Sequence, residues 1–156
     1  MTTIIHVFGS NEVGSHGAGG ALTCWQKYGA IRGQGNGRMR DCYGVPTKTG
    51  VGPHAGPILP LWKIKKYVDE LIVYMEDHPE LEFDIWEIGC GYAKPCIVRE
   101  TTGYGCKHPE CKTTRIAEIA PLFAEALSLA NAKLPQSFLN YLNGRSTDNM
   151  EDEHHD

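Results

Sequence analysis

Long apolar runs are missing from this 156-residue chain; the longest span a few residues, far short of the ~20 that a membrane-crossing helix needs. A basic stripe is missing too. Fifteen lysines and arginines stand against 19 acids, a formal net charge of −4, whereas a polyanionic nucleic acid calls for clustered positive charge. Neither a basic nor an apolar leader follows Met1-Thr2-Thr3-Ile4, so no secretion signal is read and a cytoplasmic protein is expected. With 41% hydrophobic and 22% charged residues, the composition is that of a globular chain, not a disordered, collagen-like or coiled-coil one. The length fits one domain and buries enough surface to fold without a disulfide or metal staple.

Five of the acids fall between Asp148 and Asp156, which leaves 14 against 15 basic residues in the body. Residues 146–156 therefore read as a disordered acidic tail following a single domain over 1–145. What the chain has in excess is glycine: 18 residues, about 12% against a typical ~7%. Most fall in three clusters, Gly9 to Gly20, Gly29 to Gly56 and Gly89 to Gly105, between apolar segments. Loop glycine on this scale suits a ligand gripped by main-chain groups; tight turns are the plainer reading.

Ile4 to Phe8 is short, β-rich and bounded by Gly9-Ser10-Asn11, the pattern of a buried strand. Ala18, Ala21, Leu22, Trp25 and Tyr28 then recur at helical spacing, with Gly29 placed to stop the helix. A short strand is expected around Tyr43-Gly44-Val45. From Pro60 to Asp77 a helix is predicted, with Leu61, Ile64, Val68, Leu71, Ile72 and Met75 on one face and His78-Pro79 at its end. Glu82 to Ile88 reads as a strand running into Gly89-Cys90-Gly91. Residues 94–115 read as an inserted polar, Cys-rich loop. A helix from Ile119 or Pro121 to Leu129, a short strand at Ala132-Lys133-Leu134 and a helical piece from Ser137 to Leu142 complete the pass. The alternation predicts a three-layer α/β/α domain with a mixed, mostly parallel sheet.

In such sheets ligands bind beyond the carboxyl ends of the strands, where both glycine loops belong. The first, Gly9 to Ala21, runs into a helix whose N-terminus favours anions. The second, Ile88-Gly89-Cys90-Gly91-Tyr92-Ala93, offers another nest of main-chain donors. Two facing nests suit a diphosphate. No Gly-Lys-Ser/Thr follows the first loop, and G-x-G-x-x-G with a later acid does not occur, so neither a P-loop nor a dinucleotide fingerprint is present.

Asn11 followed by His16-Gly17-Ala18-Gly19-Gly20-Ala21 resembles the loop that opens the first long helix of the macro domain superfamily, whose members bind ADP-ribose and related nucleotides. Trp86-Glu87-Ile88-Gly89-Cys90-Gly91 is similar to the second phosphate loop of the branch that includes the terminal ADP-ribose glutamate hydrolases, and Val45-Pro46-Thr47-Lys48 falls where that branch has a Thr-Lys pair. Ile119-Ala120-Pro121-Leu122-Phe123 looks like a short helix of small bacterial and phage macro-like proteins. The family's opening strands and its adenine-contacting aspartate have no counterpart. The acid that the hydrolase branch carries in the second loop is Ala93 here, and alanine can do no acid–base work.

The resemblance thus implies a macro-like fold that binds ADP-ribose or a related NAD-derived or cyclic nucleotide, as a reader or a sequestering protein. Gly9, Ser10, Asn11, His16, Gly17, Ala18, Gly19 and Gly20, with Gly89, Cys90, Gly91 and Tyr92, would hold the ligand, and no cofactor is required. The alternative is an ADP-ribosyl or phosphoester hydrolase with His16, Lys48 and Asn11 as its catalytic groups. Asp41 and His54 belong either to the pocket wall or to surface loops. Six cysteines in a reducing compartment read as thiols or metal ligands. Cys24 and Cys42 read as ordinary thiols. Cys90 reads as a small residue lining the diphosphate site, or as a low-pKa nucleophile. Cys96, Cys106, His108 and Cys111 provide the three sulfurs and one imidazole of a structural zinc site; a loop that lids the pocket is the other reading. A zinc-stabilised interaction domain is the third function class.

Overall fold

Val7 and Phe8, neighbours in one strand, send their fully buried side chains into two different cores. That alternation defines the layers of the computed structural model, which describes residues 2–91, 93–95 and 108–144. Strand β1 (Thr3–Asn11) is central. Helix α1 (Gly19–Lys27) follows, then β2 (Gly37–Met39), β3 (Cys42–Lys48), α2 (Leu61–Asp77) and β4 (Leu81–Ile85). Helix α3 (Pro109–Ile119), a 3-10 segment (Ala120–Ser128), β5 (Ala132–Lys133) and α4 (Gln136–Leu142) complete the fold. The sheet order is β2-β3-β1-β4-β5. β1 is parallel to β3 (Val7 opposite Tyr43) and to β4 (Val7 opposite Ile85), β4 is parallel to β5, and only β2 runs antiparallel. The architecture is the expected three-layer α/β/α domain with a mixed, mostly parallel sheet.

The larger core packs Ile5, Val7, Val45, Phe83 and Ile85 against α2, α3, the 3-10 segment and α4. All five wholly buried residues of α2, namely Ile64, Val68, Leu71, Ile72 and Met75, belong to its predicted apolar face. The helix stops at His78, whose N–H donates to Met75 O (3.2 Å), before Pro79. Asn131 Nδ2 donates to the carbonyls of Met75 and His78 (both 3.0 Å), satisfying acceptors that a helix end leaves open. The smaller core lies under α1 and holds Phe8, Ala21, Cys24, Met39 and Cys42.

The structure corrects several expectations. In α1 it is Ala21 and Cys24 that are buried; Trp25 is exposed, with the Arg32 guanidinium 3.9 Å above its ring. β3 extends to Lys48 despite Pro46, which lies past the end of β2, where a missing N–H breaks no ladder bond to that strand. α3 occupies the second part of the stretch read as an inserted loop, and residues 120–128 are 3-10 rather than α. The remainder of that loop, and the tail from 145 on, lie outside the described residues. Among the described residues no helix is long and apolar enough to cross a membrane.

Candidate functional site

The connectivity creates a crevice. The chain leaves β1 for α1 on one face of the sheet and leaves β4 for α3 on the other, so the loops after these adjacent parallel strands diverge. Ligands of open α/β sheets bind at such a switch point. Here a cleft of about 800 Å³ opens between the loops. Its floor is the end of β1 (Gly9, Ser10, Asn11). Its walls are Gly17 to Ala21 on the α1 side, Thr47 and Lys48 at the end of β3 with Gly50, Gly52 and His54 beyond, and Trp86 to Gly89, Gly91 and Ala93 after β4.

The first loop is shaped by Asn11. Its Oδ1 accepts from the N–H groups of Gly14 (2.8 Å) and Ser15 (3.1 Å), and its Nδ2 donates to Ser15 Oγ (2.8 Å). Those two N–H groups are turned onto the loop itself, as Asx turns do. Gly17 to Ala21, at the start of α1, line the cleft. No side chain caps that helix and no acid sits in its first turn, so its first N–H groups lack an intrahelical partner and keep the positive end of the dipole exposed.

The second loop turns at Gly89, whose φ of +75° is glycine's region. A Cβ there would also stand 3.3 Å from Ile119 Cδ1. Buried Arg115 donates from Nε to Gly89 O (3.0 Å), which fixes the plane of this turn. The two loops are neighbours: a Cβ on Gly9 would stand 3.5 Å from Gly89 N.

Several expected site residues take other positions. His16 does not face the cleft. Its ring is wholly buried, edge-on to Phe8 (5.5 Å), and Nε2 donates to the carbonyls of Ile31 (2.8 Å) and Gln34 (2.9 Å). Both partners are acceptors, so the proton is on Nε2, and the side chain ties the first loop to the next rather than meeting a ligand. Cys90 belongs to the larger core and not to the cleft lining. Burial first, then the Glu87 carboxylate, pushes its thiol up to about 12, the opposite of an activated nucleophile. Asp41 is exposed at the amino end of β3, away from the cleft.

Lys48 and His54 do line the cleft, and Lys48 Nζ donates to His54 O (2.5 Å). Gly9, Ser10, Asn11, Gly17, Ala18, Gly19, Gly20, Gly89 and Gly91 line it as well. Tyr92 lies outside the described residues. Of the proposed zinc ligands, Cys96 and Cys106 also lie outside them. His108 immediately precedes α3 and Cys111 is in its first turn. Among the described residues no group of three or more potential ligands comes together.

Two residues of the lining had no separate role in the sequence reading. Trp86 and Glu87 follow β4 directly and take opposite sides. Burial works to raise the Glu87 carboxyl, but Lys112 Nζ (2.9 Å) and Ser137 Oγ outweigh it and hold it below its ordinary value. Glu87 is thus an acceptor at neutral pH, unfit to donate a proton. Their signal in the sequence is their place at the end of β4 and at the head of the segment Trp86 to Gly91.

Comparison with protein-family models, with curated proteins and with solved structures finds no significant match to this chain.

Proposed function

We propose that the chain binds ADP-ribose or a related NAD-derived or cyclic nucleotide, as a reader or sequestering protein. The observation that carries this reading is the junction of two glycine-bearing turns and an uncapped helix N-terminus around one cleft at the switch point. Main-chain N–H groups and a helix dipole suit phosphate oxygens, and a diphosphate spans adjacent turns better than a single phosphate does. The cleft is of a size suited to a small-molecule ligand.

A hydrolase acting on such a nucleotide, or on ADP-ribosylated protein, is the second reading. It is favoured by one feature: Lys48 and the acid Glu87 are both residues of the same cleft although the second loop carries Ala93. His16 has no part in it, because its ring is turned inward.

Titration calorimetry with ADP-ribose, followed by chromatography of the recovered ligand, tests both. Binding with intact ligand supports the first reading, and a converted ligand the second. No heat with ADP-ribose or with cyclic nucleotides rejects both.

A further inference from the structure

At the end of β4 consecutive residues diverge. Trp86 turns toward α1, where Tyr28 meets it edge-on (centroids 6.4 Å apart, 75°). There the indole lies so close to Gly20 that a Cβ at that position would stand 3.2 Å from Cε3 and Cζ3. Glu87 turns to the other face of the sheet, one carboxylate oxygen on Lys112 Nζ and the other accepting from Ser137 Oγ. Both residues line the cleft; Trp86 is steadied by Gly20 and Tyr28, and Glu87 by Lys112 and Ser137. Neither is suited to phosphate. An indole face offers an anion nothing, and a carboxylate repels it. What these groups do suit is the other half of a nucleotide: a planar base stacks on an aromatic face, and a fixed carboxylate accepts from amino or hydroxyl donors.

We propose that Trp86 and Glu87 form the subsite that selects the nucleoside part of the ligand, Trp86 as the platform for a base and Glu87 as the acceptor for donors on that base or its ribose. This rests on the nucleotide reading above and names the residues that separate a nucleotide from bare phosphate. It also gives the ligand a direction. The base lies on the indole beside Gly20, and the phosphates run from there over the glycine turns toward β3. The platform is preorganised by Gly20 and Tyr28, so little ordering cost falls on binding.

The test compares Trp86→Leu and Trp86→Phe with the unaltered chain, each titrated with ADP-ribose and with pyrophosphate. The leucine variant is expected to lose roughly tenfold or more in affinity for ADP-ribose, while the phenylalanine variant stays within about threefold. Both variants are expected to bind pyrophosphate like the unaltered chain, which also shows that they are folded. In a Trp25→Phe, Trp62→Phe background, ADP-ribose should quench the remaining indole fluorescence and pyrophosphate should not. Equal loss of both probes in the folded leucine variant, or loss of neither, overturns the proposal. If the unaltered chain binds ADP-ribose no better than pyrophosphate, the platform falls and the phosphate site stands. If it binds neither probe, both readings fall.

Discussion

The six-membered ring of Trp86 rests on the backbone of Gly20, with no room for a methyl group at van der Waals distance between them. The contact joins the end of β4 to the second residue of α1, and so joins the aromatic wall of the cleft to an uncapped helix N-terminus. Gly20→Ala separates two effects. Alanine raises helix propensity by up to about 1 kcal/mol, less so in the first turn, so thermal stability is expected to hold or rise slightly. The new Cβ must displace the indole by a few tenths of an ångström, so ADP-ribose affinity is expected to fall severalfold. Paired melting and calorimetry would show this; an unchanged affinity would mean that the position of Trp86 is immaterial to binding.

His16→Ala is expected to act on stability. It removes the donor shared by the part-buried carbonyls of Ile31 and Gln34, and each such hydrogen bond contributes about 0.5–1.5 kcal/mol. Urea unfolding should show the loss. The same variant, once folded, should retain any turnover the protein has; abolished turnover with unchanged stability would restore His16 to the chemistry.

Much of this scaffold is legible in the sequence because its signals are local. Ile4 to Phe8, the α2 face from Ile64 to Met75, and the stop at His78-Pro79 each state their structure within a dozen residues. α3 was not legible: Lys112, Thr113, Thr114 and Glu118 dilute its apolar period, and its buried face consists of Arg115, Ile116 and Ile119. The burial of Arg115 depends on Gly89, 26 residues earlier. The glycine turns of the site could be read as far as their place at strand ends. The inward turn of His16 could not, because its acceptors lie 15 and 18 residues further along. Glu87 was opaque for the same reason, with Ser137 50 residues away.

Acid pH should weaken the fold through Glu12 and Glu87. The Tyr67 hydroxyl, with help from Lys63 and against burial, holds the Glu12 carboxyl below its ordinary value of 4.5. A carboxyl lowered in the folded state contributes stability that is complete above the unfolded value and is lost as pH falls through the folded one. Stability should therefore decline from just above pH 4.5 downward, and Glu12→Gln and Glu87→Gln should each flatten that decline. At pH 7 the Glu12 variant should lose no more than about 1 kcal/mol, since its ion pair is partly exposed. Urea midpoints between pH 3 and 7 measure both effects; acid limbs identical to the unaltered chain's would show that these contacts carry no linkage.

The zinc reading makes a separate prediction. A structural ion on Cys96, Cys106, His108 and Cys111 requires one equivalent of zinc per chain, and chelation should lower the melting temperature. Cys111→Ser should reproduce that loss. A metal-free chain whose melting is indifferent to zinc and chelator rejects the site.

The claim that the glycine turns hold phosphates through main-chain N–H groups is addressed most directly by amide NMR during titration with ADP-ribose. The largest shifts are expected at Gly19, Gly20, Ala21, Gly89 and Gly91, with Gly14 and Ser15 moving less because their N–H groups are already taken by Asn11. Saturable binding whose shifts lie elsewhere, with those glycine amides unmoved, would contradict it.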